Sequence, residues 1–254
     1  MNLTELFLTE LFGTMLLIIL GNGIVANCVL KGTKGNNAGW LAITIGWGFA
    51  VTVSAMIAAA FSGPGWFNPA VMIGAMIADE GAPIMNMGYS GGAATGIFIG
   101  LLAIQLIGAM LGQLIIDLLY FKHIQMTLQG NDEFATANVL GMHATGATTR
   151  AKWLNLAMET VGTGVLVFAA LSMGRFNGEF FGPIVVGIVI IAIGLSLGGT
   201  TGYAINPVRD LGPRLVHFAL PLKGKSDSDW SYSWIPVAGP MLGGILVGAI
   251  FLAF

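Results

Sequence analysis

The stretch FNPAVMIGAM, residues 67–76, places an Asn-Pro pair inside a long, uncharged and apolar part of the chain. A second Asn-Pro pair lies in YAINPVRDL, residues 203–211. Asn is a favoured N-cap and Pro is tolerated at the first helical position, so each pair predicts the start of a helix. The segments that follow, at about 67–78 and 206–220, are too short to cross a bilayer core of about 30 Å. We therefore predict two half-helices that begin near the middle of a membrane.

A half-helix that starts at mid-membrane must be preceded by backbone that enters the membrane without helical structure. Such backbone is tolerated at membrane depth only where it is buried in protein or lines a water-filled cavity. Two half-helices in one chain therefore indicate a pore or a binding site between them.

The composition places the rest of the chain in a membrane as well. Of 254 residues, 56% are hydrophobic and 9% are charged, and the mean hydropathy is +0.84. A helix needs roughly 20 apolar residues to cross a bilayer, and six stretches meet this requirement. They lie at about 6–30, 38–61, 92–121, 152–174, 182–200 and 233–254. The sequence thus predicts an all-α membrane protein with six transmembrane helices and two re-entrant half-helices.

Several functional classes are disfavoured. The net charge of −2 provides no basic patch for nucleic acid, and the single cysteine, Cys28, excludes an intramolecular disulfide. His123, His143 and His217 are scattered at or near predicted loops or span ends, without the spacing of a metal site. No combination of nucleophile, base and metal ligands is evident, so we expect neither an enzyme nor a cofactor. The N-terminus lacks the basic region of a cleaved signal peptide, so the first apolar segment is predicted to be a retained span.

The chain also repeats itself. The segments ELFGTMLLI (10–18) and ETVGTGVLV (159–167) share the pattern E-x-x-G-T, and each precedes one of the Asn-Pro pairs. We assign a first repeat to about residues 1–121, a linker to about 122–150 and a second repeat to about 151–254, within a single channel domain. Because three spans per repeat is an odd number, the second repeat enters the membrane inverted relative to the first.

Glu10 and Glu159 occupy equivalent positions in the first and fourth spans. Buried carboxylates need hydrogen-bond donors, and the non-helical loops before each Asn-Pro pair have N–H groups that need acceptors. We therefore predict that these two carboxylates support the two loops. A role in proton relay is the alternative, because carboxylates inside membranes serve it in pumps.

The segments SGPGWFNPAV (62–71) and TGYAINPVRDLGP (201–213) resemble the two signature loops of the major intrinsic proteins, the aquaporins and glycerol facilitators. The resemblance runs through all six spans, and it implies an aquaporin-like fold and a homotetramer in which every subunit has its own pore. The NPA motifs of the family correspond to Asn68, Pro69, Ala70, Asn206, Pro207 and Val208.

The resemblance also implies that both termini are cytoplasmic. The short termini favour the plasma membrane of a bacterium, where lipid, water and small solutes are the expected partners. The distribution of Lys and Arg favours the opposite orientation, because positive charges normally collect on the cytoplasmic side. We follow the resemblance, since the paired loops are the stronger signal.

Two asparagines and one arginine are predicted to face the pore. Asn68 and Asn206 can point amide N–H groups into it, beside the positive ends of two helix dipoles, which disfavours cations and proton transfer. A charged side chain at membrane depth is costly unless it faces water or a partner, so Arg209 is also predicted to face the pore. An ion pair of Arg209 with Asp210 is the alternative.

In the family, the arginine that matches Arg209 forms the narrowest constriction, together with positions that correspond here to Trp47, Gly194 and Tyr203. Water-selective members usually have a histidine where Gly194 stands, so the glycine is expected to leave room for a polyol beside apolar walls. Packing roles for Trp47 and Gly194 are the alternatives. The resemblance is closest to the glycerol-facilitator branch.

The resemblance therefore predicts a passive channel for glycerol and similar small uncharged solutes, with some water, that excludes ions and protons. Water, dihydroxyacetone, urea or a protonated small hydroxy acid such as lactic acid is the alternative permeant, and a proton-coupled transporter or a closed scaffold protein is the alternative class. Three residues depart from the family pattern: Tyr203 replaces a phenylalanine, Val208 an alanine and Trp66 a histidine. These departures leave the preferred solute open.

Overall fold

The computed structural model describes residues 1–130, 132–173 and 181–253, and these residues form eleven helices and no strand. In chain order the helices are α1 (Leu3–Val29), α2 (Gly39–Ala60), α3 (Pro69–Ala78), α4 (Ala82–Met85), α5 (Gly91–Leu119), α6 (Phe121–Leu128), α7 (Ala135–Gly141), α8 (Lys152–Met173), α9 (Gly182–Ser196), α10 (Pro207–Ala219) and α11 (Ile235–Phe251). The all-α architecture predicted from the sequence is confirmed.

Four helices, α1, α2, α5 and α8, are long and apolar enough to cross a membrane. The last two predicted spans are shorter: α9 has 15 residues and α11 has 17. The helix of α9 ends at Ser196 rather than near residue 200, because residues 197–201 form the turn that leads into the second loop. The helix of α11 begins at Ile235, where Pro236 lies in the first turn.

The even number of spans places the two ends of the chain on the same side of the bundle. The six spans are α1, α2, α5, α8, α9 and α11, and their direction alternates along the chain. Both termini therefore lie on one side, which we call the amino-terminal face. The opposite side carries residues 120–151 and is called the linker face. The half-helix α3 follows a loop from the amino-terminal face, and α10 follows a loop from the linker face.

The two predicted repeats have the same helix packing. The first span contacts the third, α1 against α5, and a Cβ added to Gly108 would lie 2.5 Å from the carbonyl oxygen of Leu11. In the second repeat α8 contacts α11, and a Cβ added to Gly243 would lie 2.5 Å from the carbonyl oxygen of Thr160. Glycine is therefore required at both positions for the helices to approach this closely.

Each half-helix packs against the last span of the other repeat. The contact of α3 with α11 is so close that a Cβ on Gly244 would collide with the carbonyl oxygen of Ala70. The contact of α10 with α5 places a Cβ on Gly212 at 2.7 Å from the Cβ of Ala109. Because each half-helix packs against the other repeat, the starts of α3 and α10 lie together in the interior of the bundle.

The segment predicted as a linker contains α6 and α7 and packs against the linker face of the bundle. Val139 is fully buried there, and the ring of His143 lies 4.9 Å from the ring of His217. His143 Nε2 also lies 3.0 Å from Asp117 Oδ1. His143 and His217 are far apart in the sequence, yet the fold brings them together with Asp117 in one buried polar cluster.

Candidate pore and filter

Both half-helices begin with an asparagine cap. The side-chain oxygen of Asn68 accepts the backbone N–H of Ala70 at 2.9 Å, and a proline follows in the first turn. The side-chain oxygen of Asn206 accepts the N–H groups of Val208 and Arg209 at 3.1 and 3.3 Å, again with a proline in the first turn. These bonds fix the asparagine side chains at the point where the two helices start.

The two asparagines also connect the repeats. Asn68 Nδ2 donates to the carbonyl oxygen of Ile205 at 2.7 Å, and Asn206 Nδ2 donates to the carbonyl oxygen of Phe67 at 2.8 Å. Each amide therefore holds the loop of the other repeat with one N–H, and within the described residues its second N–H has no protein partner. The sequence carries no sign of this exchange, because the bonded residues are far apart in the chain.

The residue before each asparagine has a left-handed backbone that is held by a buried carboxylate. Phe67 has φ +50° and Ile205 has φ +41°, a region that bulky and β-branched residues rarely adopt. Glu10 accepts the N–H of Phe67 at 2.9 Å, and Glu159 accepts the N–H of Ile205 at 2.8 Å. Each carboxylate also accepts the N–H of the preceding residue, at 2.9 and 3.0 Å. Gln105 adds a third donor to Glu10 at 2.7 Å.

A cavity of about 510 Å³ runs from the starts of the half-helices toward the amino-terminal face. Its wall includes both asparagines, and the residues predicted for the filter, Trp47, Tyr203 and Arg209, also line it. At the amino-terminal face it is bounded by residues near the ends of α2 and α8 and the start of α9: Ser62, Gly63, Met173, Gly182 and Pro183. Most of the intervening wall is apolar, so polar side chains face the cavity mainly at the asparagines and the arginine.

The Arg209 side chain is 6% exposed. Its Cζ lies 4.3 Å from the centre of the Trp47 ring, and its buried Nη1 has no hydrogen-bond partner among the described residues. Asp210 instead pairs with Arg214, with Oδ1 and Nε 2.7 Å apart. The structure therefore does not have the alternative ion pair between Arg209 and Asp210, and the guanidinium is left facing the cavity.

The space beside Gly194 is filled by side chains. A Cβ on Gly194 would lie 2.6 Å from Thr44 Cγ2 and 2.9 Å from Tyr203 Cζ. We expected this glycine to leave open space in the pore, but Thr44 and Tyr203 occupy that space. The absence of a side chain at Gly194 instead makes room for the aromatic ring of Tyr203, which is 6% exposed.

Trp40 also contacts Gly194 and Tyr203, although the sequence motifs did not identify it. Its Nε1 donates to the carbonyl oxygen of Gly194 at 3.0 Å, and its ring meets the ring of Tyr203 edge to face. The signal that was available is the helical spacing: Trp40, Thr44 and Trp47 recur at intervals of four and three residues, which places them on one face of α2.

The other two departures from the family pattern lie near the asparagine pair. Val208 is buried at the start of α10, and Trp66 lines the cavity while its backbone N–H donates to Glu10. No group of three or more His, Cys, Asp or Glu side chains within residues 1–130, 132–173 and 181–253 is arranged to hold a metal ion.

Paired half-helices that meet at their asparagine caps, beside a cavity at membrane depth, define the aquaporin-like class of membrane channel. Comparison with known families agrees, since residues 1–251 match the major intrinsic protein family. The chain belongs to that family.

Relatives and a solved structure cover almost the whole chain. It is 46% identical to glycerol uptake facilitator protein 3 of Lactiplantibacillus plantarum, over 96% of this chain and 94% of that protein. It is 43% identical to a probable glycerol uptake facilitator protein of Thermotoga maritima, over 97% of this chain and 98% of that protein. The X-ray structure of the aquaglyceroporin from Plasmodium falciparum is similar with a TM-score of 0.77 and 26% identity, covering 98% of this chain and 96% of that one.

Proposed function

We propose that this chain is a passive channel for glycerol and similar small uncharged solutes, with some water, that excludes ions and protons. The observation that carries the proposal is the Arg209 guanidinium, which is buried at the cavity with a donor that has no partner in the described part of the chain. A buried cation with an unused donor is costly unless an oxygen from outside the protein satisfies it. Relatives named as glycerol uptake facilitators support a permeant that offers such oxygens.

In this proposal Trp47, Gly194, Tyr203 and Arg209 form the selectivity filter. A passing solute must separate Arg209 from Trp47, because a separation of 4.3 Å leaves no space for a further molecule. A hydroxyl oxygen can accept a hydrogen bond from the guanidinium while the carbon backbone contacts the indole ring, which compensates for the lost cation–π contact. An uncharged polyol supplies both contacts, whereas water supplies only the oxygen.

The midplane provides the second binding point. The N-termini of α3 and α10 each carry the equivalent of about half a positive charge, and they meet beside Asn68 and Asn206. The free amide N–H of each asparagine can donate to a solute oxygen, which orients the solute and interrupts a continuous chain of waters. Cations meet the two helix dipoles and then the charge of Arg209, so we expect them to be excluded.

We further propose a homotetramer with one pore in each subunit, in the plasma membrane of a bacterium, with both termini in the cytoplasm. Large apolar side chains on the outside of the bundle support contact with lipid or with neighbouring subunits. Phe49, Ile99, Val161 and Leu246 are 61%, 59%, 55% and 56% exposed. The relatives named above include bacterial proteins, which supports the assignment to a bacterial membrane.

Stopped-flow light scattering on proteoliposomes tests the proposed function. We expect rapid swelling in a glycerol gradient, with a rate that rises linearly with concentration and does not depend on a pH gradient, and modest water flux in an impermeant-sugar gradient. Fast water flux without glycerol entry would contradict the proposed permeant. Saturation at low concentration together with dependence on a proton gradient would indicate a transporter. Urea, dihydroxyacetone and lactic acid in the same assay rank the alternative permeants.

A further inference from the structure

An aromatic contact beside the filter carries a further inference, which rests on the proposed function. Trp40, in the first turn of α2, is 41% exposed and does not line the cavity. Its ring meets that of Tyr203 with centroids 5.6 Å apart and an interplanar angle of 81°. Its indole N–H donates to the carbonyl oxygen of Gly194 at 3.0 Å. One side chain outside the pore thus contacts two of the four filter residues.

The Tyr203 and Trp40 rings pack against two glycines, Gly194 and Gly198, which we call the glycine platform. A Cβ on Gly194 would lie 2.9 Å from Tyr203 Cζ and 3.1 Å from its hydroxyl oxygen. A Cβ on Gly198, just beyond the end of α9, would collide with Tyr203 Cδ1 and lie 2.8 Å from Trp40 Cζ2. Both rings therefore pack against Gly198, and the position of each ring depends on the other.

Hydrogen bonds hold the residues on either side, from Gly202 N–H to the carbonyl oxygen of Gly198 at 2.9 Å and from Ala204 N–H to Glu159 at 3.0 Å, but the backbone of Tyr203 itself is strained. Its φ of +39° is unfavourable for an aromatic residue, and it follows Gly202 at φ +81°. Its N–H donates to Thr201 Oγ1 at 3.3 Å, which is long for a hydrogen bond. The packing of the ring must therefore do much to decide where Tyr203 stands relative to Arg209 and Trp47.

We propose that Trp40 is a positioning residue that sets the width of the filter by holding the Tyr203 ring on the Gly194 and Gly198 platform. Without Trp40 a space opens on the linker-face side of the Tyr203 ring, and the ring can move into it, away from Arg209. The filter then widens. A side chain added at Gly198 acts in the opposite direction, because it displaces the ring from the platform toward the pore.

The test measures selectivity rather than flux alone. Wild-type protein and the variants Trp40→Ala, Trp40→Phe and Gly198→Ala are reconstituted in proteoliposomes, and glycerol, erythritol and water permeabilities are compared. For Trp40→Ala we expect the erythritol-to-glycerol ratio to rise at least about threefold, the change expected from the loss of one aromatic pair. Trp40→Phe keeps an aromatic ring and should give a smaller rise. Gly198→Ala should lower the glycerol-to-water ratio.

Trp153→Ala is the matched control. Trp153 is also exposed in the first turns of a span on the linker face, and its ring meets that of Trp234 edge to face at 6.3 Å, but it contacts no filter residue. Its removal should leave all permeability ratios unchanged. If the ratios for Trp40→Ala and Trp40→Phe equal those of this control, the proposed role of Trp40 is wrong.

Two outcomes separate this inference from the proposed function. If Trp40→Ala does not assemble, the role of Trp40 is tested with Trp40→Phe and Gly198→Ala. Opposite shifts in the selectivity of these two variants support the positioning role, and unchanged permeability ratios overturn it. If the wild-type protein conducts water but no glycerol, the proposed function fails. The urea-to-water ratio of the same variants then tests Trp40, and an unchanged ratio would overturn its role.

Discussion

The half-helices α3 and α10 start in the same way and then differ in chemistry. Both have an asparagine cap and a proline in the first turn, and both follow a loop held by a glutamate. The residues three, four and eight positions after the asparagine are Val71, Met72 and Met76 in α3, and Arg209, Asp210 and Arg214 in α10. The first half-helix is apolar along its length, and the second carries charges at the same positions.

The charged half-helix also has a buried polar anchor that the apolar one lacks. Arg214 is fully buried and donates to Asp210, to the carbonyl oxygen of Ser228 at 2.6 Å and to that of Thr145 at 2.9 Å. Thr145 in turn donates its N–H to Asp210 at 2.8 Å. This network ties α10 to the linker and to the segment before α11. In α3, Met72 at the position of Asp210 is simply buried in apolar surroundings.

The largest effect is expected from breaking this anchor. Arg214→Met places in α10 the residue that α3 has at the equivalent position, but it leaves the Asp210 carboxylate buried without its partner. Loss of one member of a buried ion pair costs about 3–5 kcal/mol. We expect a large fall in the temperature at which half of the detergent-solubilised protein remains monodisperse, with reduced yield of assembled protein.

The double variant sharpens the result. Asp210→Met with Arg214→Met removes both charges, so its loss should be smaller than the sum of the two single losses, although Thr145 and Ser228 still lose their partners. Met76→Leu in α3 is the matched control, and it should cost less than about 1.5 kcal/mol because it conserves volume and polarity. An Arg214→Met variant as stable as this control would show that the anchor does not hold α10.

The second expected effect concerns ion exclusion. Arg209→Val gives α10 the residue that α3 has at the equivalent position, Val71, which also lines the cavity. The variant removes the charge and the unused donor, so we expect the proton leak under an imposed pH gradient to rise about tenfold, which corresponds to about 1.4 kcal/mol in the barrier. The size cut-off for polyols should rise as well, because valine is smaller than arginine.

Arg150→Val provides the comparison for this test. Arg150 pairs with Asp229 at the surface, and its side chain is 63% exposed, so its removal changes the charge of the linker face but not the pore. The proton leak should stay at the wild-type value. Equal leaks through both variants would mean that the helix dipoles alone exclude ions and that the charge of Arg209 serves solute binding.

The half-helices and most of the spans could be predicted from the sequence, because Asn-Pro pairs and apolar lengths are local signals. The early end of α9 did have a local signal, because Gly198 and Gly199 follow Ser196 closely and a glycine pair marks a turn. The exchange of hydrogen bonds between Asn68 and Asn206 could not be predicted, since it depends on how the repeats dock. The pairing of Asp210 with Arg214 did have a local signal, because the two residues are four positions apart on one helix face.

The sequence names the residues of the proposed filter but not their arrangement. Trp47 and Arg209 were named from the motifs, yet their stacking depends on the crossing of α2 and α10. Gly194 was interpreted as open space, although a glycine in a packed protein usually makes room for another side chain, here that of Tyr203. Trp40 was missed because an aromatic residue near a span end normally indicates the membrane interface.

The smallest expected effect concerns the C-terminal ends of α3 and α10. The end of α3 needs no side chain, because the N–H groups of Glu80 and Gly81 bond to the carbonyl oxygens of Ile77 and Met76. The end of α10 has no such turn, and Lys225 Nζ donates instead to its last carbonyl groups, including those of Phe218 at 2.9 Å and Leu220 at 2.6 Å.

Lys225→Met should therefore destabilise the protein by about 0.3–1 kcal/mol, the typical range for a cation at a helix C-terminus. The change is measured as a small fall in the detergent melting temperature. Lys223→Met is the control, because Lys223 is exposed in the same loop and should have no effect. A Lys225→Met variant that melts like this control would mean that α10 is held entirely by the Asp210 and Arg214 network, so that the charged half-helix needs one anchor rather than two.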